Sequence, residues 1–178
     1  LLCSECLTDL PLFNQSLVHA DLLNWPAVHK SLPNIYFDHL FCLSPYLAPF
    51  NQWLTQFKYQ GRFELASLFA SLLAIRWQEV SPTLPVDLVL SVPLHINKWQ
   101  QRGYNQAHLI AKPFSKLLQL PYQGAALIRT KKNISQVGKT GKQRRDNLVN
   151  AFALRQPLNK NIKHVVLIDD VLTTGSTA

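Results

Sequence analysis

Val165-Val166-Leu167-Ile168-Asp169-Asp170-Val171-Leu172-Thr173-Thr174-Gly175-Ser176-Thr177 is the stretch from which the rest of this chain is read. Val165 to Ile168 is a short apolar, largely β-branched run, which predicts a strand buried on both faces. Two carboxylates follow where that strand should end. Thr173 to Thr177 then set hydroxyls around one freely turning glycine, Gly175. A tight loop of that kind aims successive backbone N–H groups and hydroxyls at one point, as a phosphate requires. Asp169 and Asp170 stand beside it as acceptors suited to a sugar diol or to magnesium-bound water. The plain alternative is a strand and a polar turn in which Asp, Ser and Thr serve only as caps. An acidic pair joined to a five-residue Thr/Gly/Ser loop favours a site for a ribose 5′-phosphate.

The rest of the chain suits a protein that binds anions. Its 178 residues fit one domain with a small appendage, and 47% hydrophobic content is ample for a packed core. Eighteen Lys and Arg against ten acids leave a formal charge of +8, which favours phosphates or nucleic acid as partners. Three cysteines are too few for a disulfide scaffold, so a reducing cytoplasm is expected. The longest apolar stretch, Leu65 to Ile75, is too short to span a bilayer, and no signal peptide is visible. A start at Leu1 rather than Met, and an end where a helix should follow the loop, predict a trimmed form of a longer protein.

Cys3-Ser-Glu-Cys6 has the spacing of half a zinc site. His39 with Cys42, or His19 with His29, are the possible completions within the chain. The alternative is a second pair upstream of Leu1, and half a site binds zinc poorly. Pro11, Pro26 and Pro33 mark an irregular lead-in, and Tyr36 to Leu43 is expected as a strand. Helices are predicted over Tyr46–Tyr59, ended by Gly61, and from about Phe63 to Val80. Lys58, just before the break, is within reach of a ligand but is expected to be solvated. Asp87 to Val92 predicts a second buried strand, with a polar, basic exit running from Pro93 to Gln106. In that exit His95 is expected at the surface, and Arg102-Gly103 is expected to start the next helix and to contact phosphate. That helix carries Pro113, which should kink or restart it. Ala125–Arg129 and Phe152–Leu154 read as short strands, and Asp146–Ala151 as a short helix or turn.

Between Arg129 and Arg145 lie seven basic residues and no acid: Arg129, Lys131, Lys132, Lys139, Lys142, Arg144 and Arg145. A polar loop of this kind suits closure over a polyanion, though most charge runs are simply solvated. Gly138-Lys139-Thr140 is not a phosphate-binding P-loop, because Asn133 stands where its first glycine belongs.

The terminal segment closely resembles the phosphoribosyl-pyrophosphate (PRPP) signature of type I phosphoribosyltransferases. The chain as a whole resembles the ComF/GntX family, some of whose members are linked to natural competence. The resemblance rests on Cys3-x2-Cys6 with Leu10-Pro11, Phe57-Lys58-Tyr59, Val92-Pro93-Leu94 and Arg102-Gly103-Tyr104-Asn105-Gln106. It continues through Arg129-Thr130 with Gln136, Arg144-x2-Asn147 with Ala151-Phe152, and the terminal signature.

This resemblance implies an α/β fold of the type I phosphoribosyltransferase kind, a parallel sheet flanked by helices. Residues 1–34 would be the remnant of a zinc-type segment and linker, and 35–178 the phosphoribosyltransferase-like domain without its last helix and strand. Asp169 and Asp170 would hold the ribose hydroxyls, and Thr173, Thr174, Gly175, Ser176 and Thr177 the 5′-phosphate. Pro93, Leu94, His95, Arg102 and Gly103 would face the pyrophosphate. Arg129, Lys131, Lys132, Gln136 and Arg144 would belong to a hood loop. Mg²⁺ would arrive with PRPP, and Zn²⁺ would bind in the full-length protein, with Cys3 and Cys6 among its ligands.

Two functional readings follow. One is phosphoribosyl transfer from Mg-PRPP to an acceptor that the sequence does not identify. The other is a non-catalytic protein that senses PRPP or a nucleotide, or holds single-stranded DNA, with the competence machinery as partner. In the DNA reading Tyr59, Trp99 and Tyr104 are the stacking candidates. A purely structural partner is a third reading.

Overall fold

The computed structural model describes residues 2–32, 35–80, 85–130 and 151–172. It is a mixed α/β structure whose elements run α1 (Ser4–Thr8), α2 (Pro26–Ser31), α3 (Phe50–Tyr59), α4 (Glu64–Val80), β1 (Leu88–Ser91), α5 (Ile96–Arg102), α6 (Gln106–Leu117), β2 (Leu127–Arg129), β3 (Phe152–Leu154) and β4 (Val165–Ile168). β1 and β4 pair in parallel, Leu88 opposite Val165 through Ser91 opposite Ile168. On its other side β1 forms a single parallel bridge from Val89 to Tyr122. β2 and β3 make a separate antiparallel pair. Helices α4 and α6 pack on each other, and α6 packs on both parallel strands.

The apolar spacing seen in the sequence builds this core. Phe57, Phe69, Ala70, Val89, Ala111 and Phe114 are almost completely removed from water where α3, α4, α6 and β1 meet. Aromatic edges finish the contact: Phe57 lies against Phe69 and Tyr104, and Trp77 meets Phe114 edge-on. Pro113 is accommodated inside α6, which runs on to Leu117.

Several expectations need correction. The third helix begins at Phe50 rather than Tyr46, because Pro45 and Pro49 fix φ and withhold N–H groups from a first turn. Tyr36 to Leu43 is not a strand. Its Leu40 and Leu43 carbonyls accept single bonds from Leu22 and Phe13, and no ladder forms. The lead-in over residues 11–32 is more ordered than its prolines imply. It holds two 3₁₀ turns capped by Asn14 and Asp21, then α2 with Pro26 in its first turn. The segment expected at Asp146–Ala151 lies outside the described residues apart from Ala151, which is buried. Finally, β4 is not buried on both faces. Ile168 is, but Val165 and Leu167 are 42% and 38% exposed, since no described element packs over that side.

Candidate functional site

Parallel pairing brings the carboxyl ends of β1 and β4 to the same edge, the position where α/β sheets bind ligands. Val92 N–H donates to Ile168 C=O at 2.9 Å, so the two chains separate just beyond the last pair. From β4 emerge Asp169 and Asp170. From β1 emerge Pro93, Leu94 and His95.

The β1 exit is a loop only over residues 92–95. Residues Ile96–Arg102 form α5, capped by His95, whose Nδ1 accepts from Asn97 N–H at 3.2 Å. Gly103 ends the helix with φ 75°, a left-handed conformation that glycine adopts without a Cβ penalty. Arg102-Gly103 therefore closes one helix rather than opening the next. Asn105 opens α6, accepting from Ala107 N–H and donating to Val92 C=O at 2.9 Å. His95 is buried rather than a surface histidine. Desolvation first, and then the charges of Arg129 and Lys98, hold its imidazole below the ordinary value. Arg129 thus lies electrostatically within reach of the β1 exit, with its guanidinium 5.3 Å from the centre of the Phe152 ring.

At the β4 exit the carboxylates differ. Asp170 is largely buried and its Oδ1 lies 2.9 Å from Lys58 Nζ, with only 15% and 19% of the two side chains exposed. Lys58 is therefore not solvated, as its place near a helix end suggested. Asp169 is exposed, and it accepts from Asp170 N–H at 2.8 Å. Desolvation, and next the Asp170 charge, push its carboxyl up to about 6, while Lys58 and Lys98 pull in the opposite direction. The charge of Lys98 is felt at both strand ends, and the sequence did not single it out for the site.

The end of α3 joins these parts. Tyr104 O–H donates to Phe57 C=O, Lys58 pairs with Asp170, and Arg102 donates to Tyr59 Oη at 3.2 Å with its guanidinium 4.9 Å from that ring's centre. Three consecutive residues thus hold the Arg102–Tyr104 segment in register with the β4 acids. Tyr104 is consequently taken into packing against Phe57 and Phe63. Tyr59 and Trp99 remain 71% and 51% exposed.

Thr173, Thr174, Gly175, Ser176 and Thr177 lie outside the described residues, as do Lys131, Lys132, Gln136 and Arg144. Asp169 and Asp170 form a hard-oxygen set of the kind that takes Mg²⁺ already bound to a phosphate. Cys3 and Cys6 are exposed and adjacent, with Cys3 Sγ accepting from Cys6 N–H at 3.4 Å. They do not by themselves fit a closed zinc site. Among the described residues no third His, Cys, Asp or Glu joins them, His39 pairs with Asp21 at 3.1 Å, and burial pushes the Cys42 thiol up to about 11. No described helix is long and apolar enough to cross a membrane.

The geometry defines a class: a mixed α/β protein with a small parallel sheet, and two carboxylates and an ion-paired lysine at its carboxyl edge. Sequence comparison narrows this. The chain is 33% identical over 186 residues to competence protein F of Haemophilus influenzae, covering 99% of this chain and 80% of that one. It is 32% identical over 162 residues to the DNA utilization protein YhgH of Escherichia coli K12, covering 85% and 70%. Competence protein ComFC of Bacillus subtilis is 29% identical over 126 residues, 70% of this chain and 48% of its own length. The chain belongs to the ComF family. No family model and no solved structure matches it.

Proposed function

We propose that the chain is a PRPP-binding protein of the type I phosphoribosyltransferase fold, serving the handling of DNA in competence. The observation that carries the reading is the parallel register of β1 and β4, which brings Asp169, Asp170 and the Lys58 ammonium to one carboxyl edge with the Pro93–His95 exit. In this reading Asp169 and Asp170 accept hydrogen bonds from the ribose hydroxyls. The Thr173–Thr177 loop takes the 5′-phosphate. Pro93 to His95, with Lys98 and Arg102, faces the pyrophosphate. Arg129, with Lys131, Lys132, Gln136 and Arg144, forms a basic hood that excludes water. Magnesium bound with the ligand would offset the charge of the departing pyrophosphate. The acceptor would be an amine or a base entering from the hood side. The relatives' names, competence protein and DNA utilization protein, supply the biological setting.

A second reading has its own support. Tyr59, flanked by Arg102, and Trp99, beside Lys98, face solvent on a chain of charge +8. Exposed aromatics among cations suit the stacking and backbone attraction that hold single-stranded DNA. Two assays separate the readings. PRPP-dependent pyrophosphate release that is lost in Asp170→Asn supports phosphoribosyl transfer. Steeply salt-dependent DNA binding that survives Asp170→Asn, with no PRPP effect, supports the binding protein and contradicts the first reading.

A further inference from the structure

The Lys58–Asp170 pair is an unusual thing to find in a site meant for a polyanion. Both side chains are largely buried, and they come from elements 112 residues apart in sequence. A buried pair is held tightly only while neither partner is offered a better counter-charge. Lys58 sits at the last turn of α3, and its flexible stem can swing its ammonium without moving the helix. That helix end is itself fixed by the bonds from Tyr104 to Phe57 and from Arg102 to Tyr59, so only the side chain is free to respond.

From this geometry we infer that Lys58 is an exchanging cation. It neutralises Asp170 while the site is empty and transfers to a diphosphate when one binds. The inference rests on the proposed PRPP site and names one of its binding residues. The charges require such a move. Asp169 and Asp170 face one ion-paired lysine, with Lys98 near enough to influence Asp169. A ligand that brings divalent positive charge to these carboxylates repels Lys58 and presents phosphate oxygens to it. Lys58 then leaves Asp170 and caps the diphosphate, on the same side as Arg102. Its neighbours Phe57 and Tyr59 stay bonded to Tyr104 and Arg102 throughout, so the helix end does not move with it.

The test uses magnesium pyrophosphate, Mg-PRPP and ribose 5-phosphate, titrated into the full chain. The variants are Lys58→Met and Lys58→Arg. Lys58→Met should weaken Mg-PRPP and magnesium pyrophosphate at least about tenfold and leave ribose 5-phosphate within about twofold. Lys58→Arg keeps the positive charge and the fold. Its planar fork pairs with carboxylate and phosphate alike, so it can make the same exchange and should hold both diphosphates within about threefold of wild type. Wild-type affinity for the diphosphates in Lys58→Met would overturn the exchange, as would an equal loss for all three ligands in that variant. Wild-type protein that binds magnesium pyrophosphate through Lys58 but not Mg-PRPP would uphold this inference and sink the proposed function. Tight Mg-PRPP binding unchanged in both variants would do the reverse.

Discussion

β1 and β4 are paired residue for residue, each four residues long and mostly aliphatic, yet they end differently. All four residues of β1 are buried, and its exit is held by a lattice of neutral bonds. Asn105 donates to Val92, His95 caps α5, and Ser91 Oγ shares a 2.9 Å bond with Tyr122 Oη. That phenol lies 2.7 Å from His108 Nδ1. β4 is half exposed, and its exit consists of two acids whose side chains are restrained by one ion pair and one backbone N–H. The contrast lies in what holds each end. Neutral hydrogen bonds fix the β1 end, and an ion pair holds the β4 end.

Breaking the link between the two ends should have the largest effect. Phe57 is fully buried and anchors the α3 terminus that reaches both exits. Phe57→Ala should destabilise the fold by about 3–5 kcal/mol, measured by urea unfolding. A loss under about 1 kcal/mol would mean that α3 does not anchor the edge. Damage confined to the frame comes next. A Cβ at Gly124 would stand 2.6 Å from Tyr122 Oη and 2.8 Å from His108 Nδ1, two groups that cannot retreat without losing their bond. Gly124→Ala should cost about 1–3 kcal/mol. The same unfolding experiment on Asn105→Ala, which loses the α6 cap and the Val92 bond, should read about 1 kcal/mol.

The smallest effect sharpens the contrast at β4. Folding raises the Asp169 carboxyl from about 4 to about 6, so between those values the folded chain holds a proton that the unfolded chain has lost. The stability contributed by that proton is present below about pH 4 and fades as pH rises through 6. Wild type should show this gentle decline and Asp169→Asn should not. Parallel pH profiles for the two proteins would remove Asp169 from the account.

Much of the frame was legible in the sequence. The apolar runs of β1, α4 and α6 were sufficient, because a buried strand and an amphipathic helix leave the periodicity from which they are recognised. β4 was legible as a strand but not in its burial, since composition does not say which faces a neighbour covers. α5 was missed because Ile96–Arg102 carries mostly polar side chains, none of them buried, and leaves no apolar stripe. Gly103 was the available sign, a helix-ending glycine taken instead for a beginning. Asp169 and Asp170 were legible at the sheet edge because they follow their strand directly. Lys58 was not, because its partner lies far along the chain and only folding brings them together. Lys98 needed α5 to carry it to the edge.

The central claim is that the β4 acids and the β1 exit form one PRPP pocket. Calorimetric titration of Mg-PRPP into the full chain, with Asp169→Asn/Asp170→Asn as the paired control, tests it most directly. The account predicts saturable binding by the wild type that the double substitution abolishes. Absence of binding to folded wild-type protein, or equal binding by the two, would contradict it.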